Sequence, residues 1–186
     1  MVHNPKNSQE ILKWCIESAL QFIFDKVNKS NEKRNRYQMH EDLYSHFGGK
    51  VNHRQVSSMF YELKRHGYVE LSEGDSVKLT NKAKIKIIDK ISGPERHDGK
   101  LRLVSFDIPE IKKVNRNNFR RAIKKMGFKQ VQKSLWISNR NVGELVDAAA
   151  KEYKVSDYVA YFVAERSNID RHIKDVLSGK IASSED

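Results

Sequence analysis

Arg54, Gln55, Ser58, Tyr61 and Arg65 are the residues whose types and spacing point most directly to chemistry. They lie in the segment 52–66, where Val56, Met59, Phe60 and Leu63 recur at i, i+3, i+4 and i+7 and give a helix one buried face. Arg54, Ser58, Tyr61 and Arg65 fall on the opposite face, and Gln55, Ser57 and Glu62 flank it. A guanidinium reads guanine edges, an amide reads adenine, and hydroxyls reach phosphate oxygens. The second candidate is Asp107, a carboxylate at the carboxyl end of the apolar run Leu101, Leu103, Val104, Phe106 and Ile108. That run predicts a strand covered on both faces, stopped by Pro109, which cannot donate to a ladder. Asp107 either does chemistry at the strand end or only terminates it.

The elements that would position the first group follow from periodicity. Ile11, Leu12, Cys15, Ile16, Ala19, Leu20, Ile23 and Val27 predict a long first helix, opened by a capping box of Asn7 and Glu10. Trp14, Phe22 and Phe24 extend its apolar surface beyond one stripe. The polar segment 28–36 reads as a loop. Met39, Leu43 and Phe47 predict a short helix from about Gln38, ended by Gly48-Gly49, and the polar-faced helix follows at once. Gly67 ends that helix. Val69 and Leu71, then Val77 and Leu79, alternate about Gly74-Asp75 and predict a β-hairpin. Thr80 caps a last helix carrying Ala83, Ile85, Ile88 and Ile91. This order predicts a winged helix-turn-helix domain over 1–91, with the second helix of the pair in the major groove. Glu73 and Asp75 at the wing tip repel phosphate, whereas Lys78, Lys82, Lys84, Lys86 and Lys90 offer phosphate contacts.

Residues 92–99 read as a linker, and 100–186 as a second domain. After the strand ending at Asp107, a helix runs to about Met126, with Val114, Phe119, Ala122, Ile123 and Met126 inward and a strongly basic outer side. The segment 128–138 is one strand or two short ones. Val142, Leu145, Val146, Ala149 and Ala150 make a second helix, 157–164 a last strand, and 169–177 a short final helix. The expected fold class is α+β: a winged helix-turn-helix followed by a ferredoxin-like β-α-β-β-α-β domain.

The net charge of +11 favours polyanionic partners, nucleic acid first. Residues 1–92 hold 16 Lys and Arg against 11 Asp and Glu, so the excess is shared by both halves rather than carried by one arm. Cys15 is the single cysteine, which excludes an intramolecular disulfide and a cysteine zinc cluster. The seven histidines show no metal-ligand spacing, and Gly48-Gly49-Lys50 lacks the pattern of a phosphate loop. The start Met1-Val2-His3-Asn4-Pro5 is not a signal peptide, and no apolar run is long enough to span a membrane. The expectation is a cytoplasmic protein without membrane contact.

The motif Asp98-Gly99-Lys100-Leu101-Arg102-Leu103-Val104-Ser105-Phe106-Asp107-Ile108-Pro109-Glu110 is followed by Arg116, Arg120 and Arg121, then Gly127-Phe128 and the segment 132–138. Together they resemble the PaaX-type transcriptional repressors of phenylacetic acid degradation. Those proteins join a winged helix to a ferredoxin-like domain, itself similar to the small CRISPR-associated endonuclease subunit of the spacer-acquisition complex. Those repressors continue into a further C-terminal helical region; from a sequence ending at Asp186 the expectation is that this region is lacking and their effector site is not carried over. The resemblance implies a homodimeric transcription regulator that binds double-stranded DNA, dimerises through the ferredoxin-like domain and needs no cofactor. The likeness to the CRISPR subunit implies an alternative. There Asp107 would be the catalytic residue and metal ligand of a Mg²⁺-dependent nuclease, with CRISPR adaptation proteins as partners. A protein-interaction module is the third class.

Overall fold

The computed structural model describes residues 8–29, 33–92, 98–165 and 170–180. Helices and two antiparallel sheets make it an α+β protein. The chain divides into two units between Ile87 and Ile88.

In the first unit, helix α1 (Ser8–Phe24) continues into a π-turn (Asp25–Lys29). The capping box expected at Asn7 lies outside the described residues. Helix α2 (Arg36–His46) begins two residues earlier than the periodicity suggests, because Asn35 caps it: its side chain accepts from the Gln38 amide at 2.9 Å, and Gln38 accepts from the Asn35 amide at 3.1 Å. Gly48 and Gly49 then turn the chain with φ of 54° and 78°, a region that costs glycine nothing. Helix α3 (His53–Arg65) opens on the same device, with Asn52 and Gln55 in a second capping box.

Strands β1 (Val69–Ser72) and β2 (Ser76–Leu79) form the hairpin, joined through Glu73–Asp75, where Gly74 and Asp75 both take positive φ. The segment read as a loop contributes here. Asn35 bridges Ser76, and the Val77 amide donates to the Arg34 carbonyl at 2.8 Å, so residues 34–35 extend the hairpin. Polar side chains hid this contribution, since the pairing uses only backbone. Thr80 caps helix α4 (Asn81–Lys86), its hydroxyl accepting from the Ala83 amide. The core is Ala19, Leu20 and Ile23 of α1, Met39 and Leu43 of α2, the four periodic residues of α3, and Val69, Val77 and Leu79 of the hairpin. α3 must therefore turn its polar side outward.

The expected last helix breaks at Ile87, and its remaining turn α5 (Ile88–Ile91) belongs to the second unit. Of the expected linker 92–99, Ser92 is buried, with its carbonyl accepting from Arg140 Nη1 at 3.2 Å, and 93–97 lie outside the described residues. The second unit carries a sheet of strands β3 (Leu101–Phe106), β4 (Lys129–Gln132), β5 (Leu135–Ser138) and β6 (Val159–Ala164), in the order β4-β5-β3-β6 with every neighbour antiparallel. The segment 128–138 is thus two strands. Helices α6 (Lys113–Lys125), α7 (Gly143–Glu152) and α8 (Asp170–Leu177) complete the unit.

β3 is not equally covered on its two faces, contrary to the expectation from its apolar run. Arg102, Val104 and Phe106 are buried, whereas Leu101, Leu103 and Ser105 are partly open. On the closed face Phe106 meets Phe119 of α6 edge-to-face at 5.4 Å. On the other, Leu101 and Leu103 pack beside Val131, Ile137, Ile173 and Val176, under α8. A 3₁₀ turn (Glu110–Lys112) precedes α6, and Val114 is 70 % exposed rather than inward, because it stands about 140° round the helix from Phe119, where the buried stripe starts. Gly127, with φ of 90°, lies against Arg140; a Cβ there would come 2.9 Å from the guanidinium carbon. β6 forms one margin of the sheet, and its Phe162 and Val163 are exposed.

Candidate nucleic-acid interface

The five residues singled out on α3 share its solvent side, but they are not equally free. Arg54, Ser58 and Tyr61 are exposed, and their side chains make no hydrogen bond or ion pair among the described residues. Tyr61, at 64 % exposure, presents a large ring to water. Gln55 is exposed but committed to the cap through its carbonyl oxygen, which accepts from the Asn52 amide at 2.8 Å. Arg65 donates from Nε and Nη2 to Glu62 Oε2 at 3.1 and 2.6 Å. That pairing holds the Glu62 carboxyl below its usual range and raises Arg65 further.

Arg36, Tyr61, Lys64 and Arg65 line a groove of about 420 Å³ between α3 and the hairpin, floored by Phe60 and Leu71. Three cations and a hydroxyl around one groove suit a phosphate chain. Arg36 and Lys64 were not legible as partners in the sequence. Arg36 sits in the segment read as a loop, and the hairpin brings Leu71 alongside α3 only in the folded chain. On the hairpin itself, Glu73, Asp75 and Lys78 are exposed, as expected of the wing tip. Lys82 is tied down by the His66 carbonyl at 2.9 Å and by the Tyr68 ring, and Lys86 approaches Glu17 at 4.0 Å.

Asp107 lies in the second unit, just beyond β3. Its amide donates to the Tyr158 carbonyl at 3.1 Å, and its carboxylate, exposed, has no hydrogen bond or ion pair among the described residues. It borders a cleft of about 680 Å³ with Ser105, Glu110, Arg116, Arg120, Lys133 and Ser134. Glu110, the other carboxylate there, is taken by Arg116 at 2.7 Å and Lys113 at 3.4 Å, and these cations hold its carboxyl below its usual range. Arg116 also donates to the Ile108 carbonyl, and Arg120 lies over the Phe106 ring. A Mg²⁺ ion wants several unspent oxygens and a negative surround. Within one chain the cleft offers one free carboxylate among three cations, which does not fit that ion.

Residues 94–176 match the family model of the PaaX protein central Cas2-like domain. No curated protein matches the chain. The matched stretch holds the sheet of the second unit, Asp107 and the basic cleft; α3 and its exposed face lie outside it.

Proposed function

We propose that the chain is a PaaX-like DNA-binding transcription regulator in which α3 enters the major groove of duplex DNA. One observation carries this reading. A turn of two glycines joins α2 to α3, and α3 directs Arg54, Ser58 and Tyr61 to solvent, their side chains without a hydrogen bond or ion pair among the described residues. An arginine, a serine and a tyrosine on one exposed helix face are the donors by which a reading helix contacts base edges and phosphates. The order α1, residues 34–35, α2, α3, β1, β2 suits a winged helix, and the groove bearing Arg36, Lys64 and Arg65 would seat the adjoining phosphates. The net charge of +11 and the match of 94–176 to the PaaX domain support the same reading. The sheet order β4-β5-β3-β6 suits a ferredoxin-like domain, and we assign dimerisation to it, so that two copies of α3 read two half-sites.

The test is duplex binding followed by fluorescence anisotropy, with wild type, Arg54→Ala and Tyr61→Ala compared over a salt series. Each substitution weakens binding, and wild-type affinity falls steeply with salt. Affinities unchanged in both variants would remove α3 from the account. The nuclease alternative, with Asp107 as Mg²⁺ ligand, finds less support in the cation-rich cleft; cleavage that needs Mg²⁺ and is lost in Asp107→Ala would restore it.

A further inference from the structure

We propose that His40, Glu41 and His53 form a binding site for one divalent transition-metal ion of the zinc class, bridging α2 and α3. The sequence shows no ligand pattern here, because the two histidines are 13 residues apart and meet only when α2 and α3 pack. One ligand atom from each of the three residues lies within 4.8 Å of the others. Glu41 Oε1 is the centre of the arrangement, 3.2 Å from His40 Nδ1 and 3.8 Å from His53 Nδ1. Ligand atoms around a tetrahedral zinc at ordinary bond lengths stand about 3.3 Å apart, so small side-chain rotations close the set.

The hydrogen bonds of His40 define which nitrogen is available. Its Nε2 lies 3.2 Å from the His53 carbonyl, a group that can only accept, and 3.1 Å from the Ser57 hydroxyl. A hydrogen on Nε2 serves that carbonyl, which leaves Nδ1, 3.2 Å from the Glu41 carboxylate oxygen, as the nitrogen that a metal ion would take in place of a proton. A backbone carbonyl on the far nitrogen is also the usual outer support of a ligating histidine, fixing tautomer and ring direction. His53 is oriented separately, its ring stacked on Tyr44 at 3.8 Å between centroids. Two imidazole nitrogens and one carboxylate oxygen, partly open to solvent, leave a fourth position for water. That donor set selects zinc and its neighbours over Mg²⁺ or Ca²⁺. A metal there would fix the separation of α2 and α3 at the first turn of α3, one residue before Arg54. The site does not depend on whether α3 reads DNA.

The experiment is titration of the full chain with Zn²⁺ against a chromophoric competitor, with Co²⁺ as a spectroscopic probe. The wild type should bind one equivalent, and Co²⁺ should show the visible absorption of a four-coordinate site. His53→Ala is the decisive variant, because the residue is exposed and the fold does not need it. It should weaken binding by more than the roughly 100-fold that losing an outer partner can cost. Glu41→Gln should weaken it as well, while Cys15→Ser and His172→Ala leave it intact. Equal affinity in His53→Ala and wild type, or loss of the equivalent in Cys15→Ser or His172→Ala, would overturn the assignment. So would a wild type that takes up no Zn²⁺ at neutral pH, in which case a proton alone fills the gap between His40 and Glu41.

Discussion

Asp98 grips Arg102 with both carboxylate oxygens, Oδ1 accepting from Nη1 at 3.1 Å and Oδ2 from Nη2 at 2.5 Å. Arg102 points into the closed side of the sheet at 3 % exposure, beside Val104 and Phe106, where an unpaired guanidinium is costly. The partner sits just before β3 and also accepts from the Lys100 amide at 3.0 Å. These contacts lower the Asp98 carboxyl from 3.8 to about 2, with the Arg102 hydrogen bonds the largest cause. A carboxyl depressed on folding adds stability above its ordinary value and loses that contribution as the pH falls through the folded value. The second unit should therefore lose stability between about pH 4 and pH 2. Asp98→Asn should remove that part of the acid limb while lowering the melting temperature at neutral pH, as thermal melts across the range will show.

The caps give a second prediction. Asn52→Ala removes the acceptor for the Gln55 amide and should destabilise the first unit by about 1 kcal/mol, read from urea unfolding. Asn35→Ala should cost about the same, because α2 opens on the same reciprocal pair.

Freedom on α3 predicts a ranking in DNA affinity. Arg54→Ala should cost on the order of 1–3 kcal/mol if its guanidinium reads a base edge. Arg65→Ala should cost less, since wild-type Arg65 must first share itself with Glu62. Arg36→Ala and Lys64→Ala should weaken binding evenly across sequences, each reducing the salt slope by about one. Anisotropy titrations at several salt concentrations separate the two behaviours.

Asp107 gives the fourth. Its carboxylate has no partner among the described residues, so Asp107→Ala should change stability by no more than about 0.5 kcal/mol. Phe119→Ala, by contrast, takes the ring from Phe106 in a fully buried site and should cost about 3–5 kcal/mol. Chemical denaturation of the two variants side by side checks both. On our reading neither the wild type nor Asp107→Ala cleaves duplex DNA with Mg²⁺.

Much of the frame was legible because it rests on periodicity. Val56, Met59, Phe60 and Leu63 define the buried side of α3, and the alternation of Val69, Leu71, Val77 and Leu79 defines the hairpin. What escaped is decided by backbone or by tertiary approach. Residues 34–35 join the hairpin through main-chain atoms that composition does not encode. Gln55 suits base reading and helix capping equally as a residue type, and only the fold shows its oxygen spent on Asn52. Val114 stands five residues before Phe119, about 140° round α6, so it faces water although its residue type suggests the core. His40 and His53 carry no shared motif, and two helices crossing bring them together.

β6 at the sheet margin has a practical consequence. Among the described residues its backbone is paired to β3 alone, and Phe162 and Val163 stand 54 % and 53 % exposed. An apolar strand with one open edge invites another strand to add to it. Association through it would be second order in protein, so mass action would make the fraction of paired molecules rise with concentration. DNA affinities measured at nanomolar and at micromolar protein would then differ for the same chain. A charge at the strand, as in Phe162→Lys, would give a monomeric form whose binding curve no longer moves with concentration.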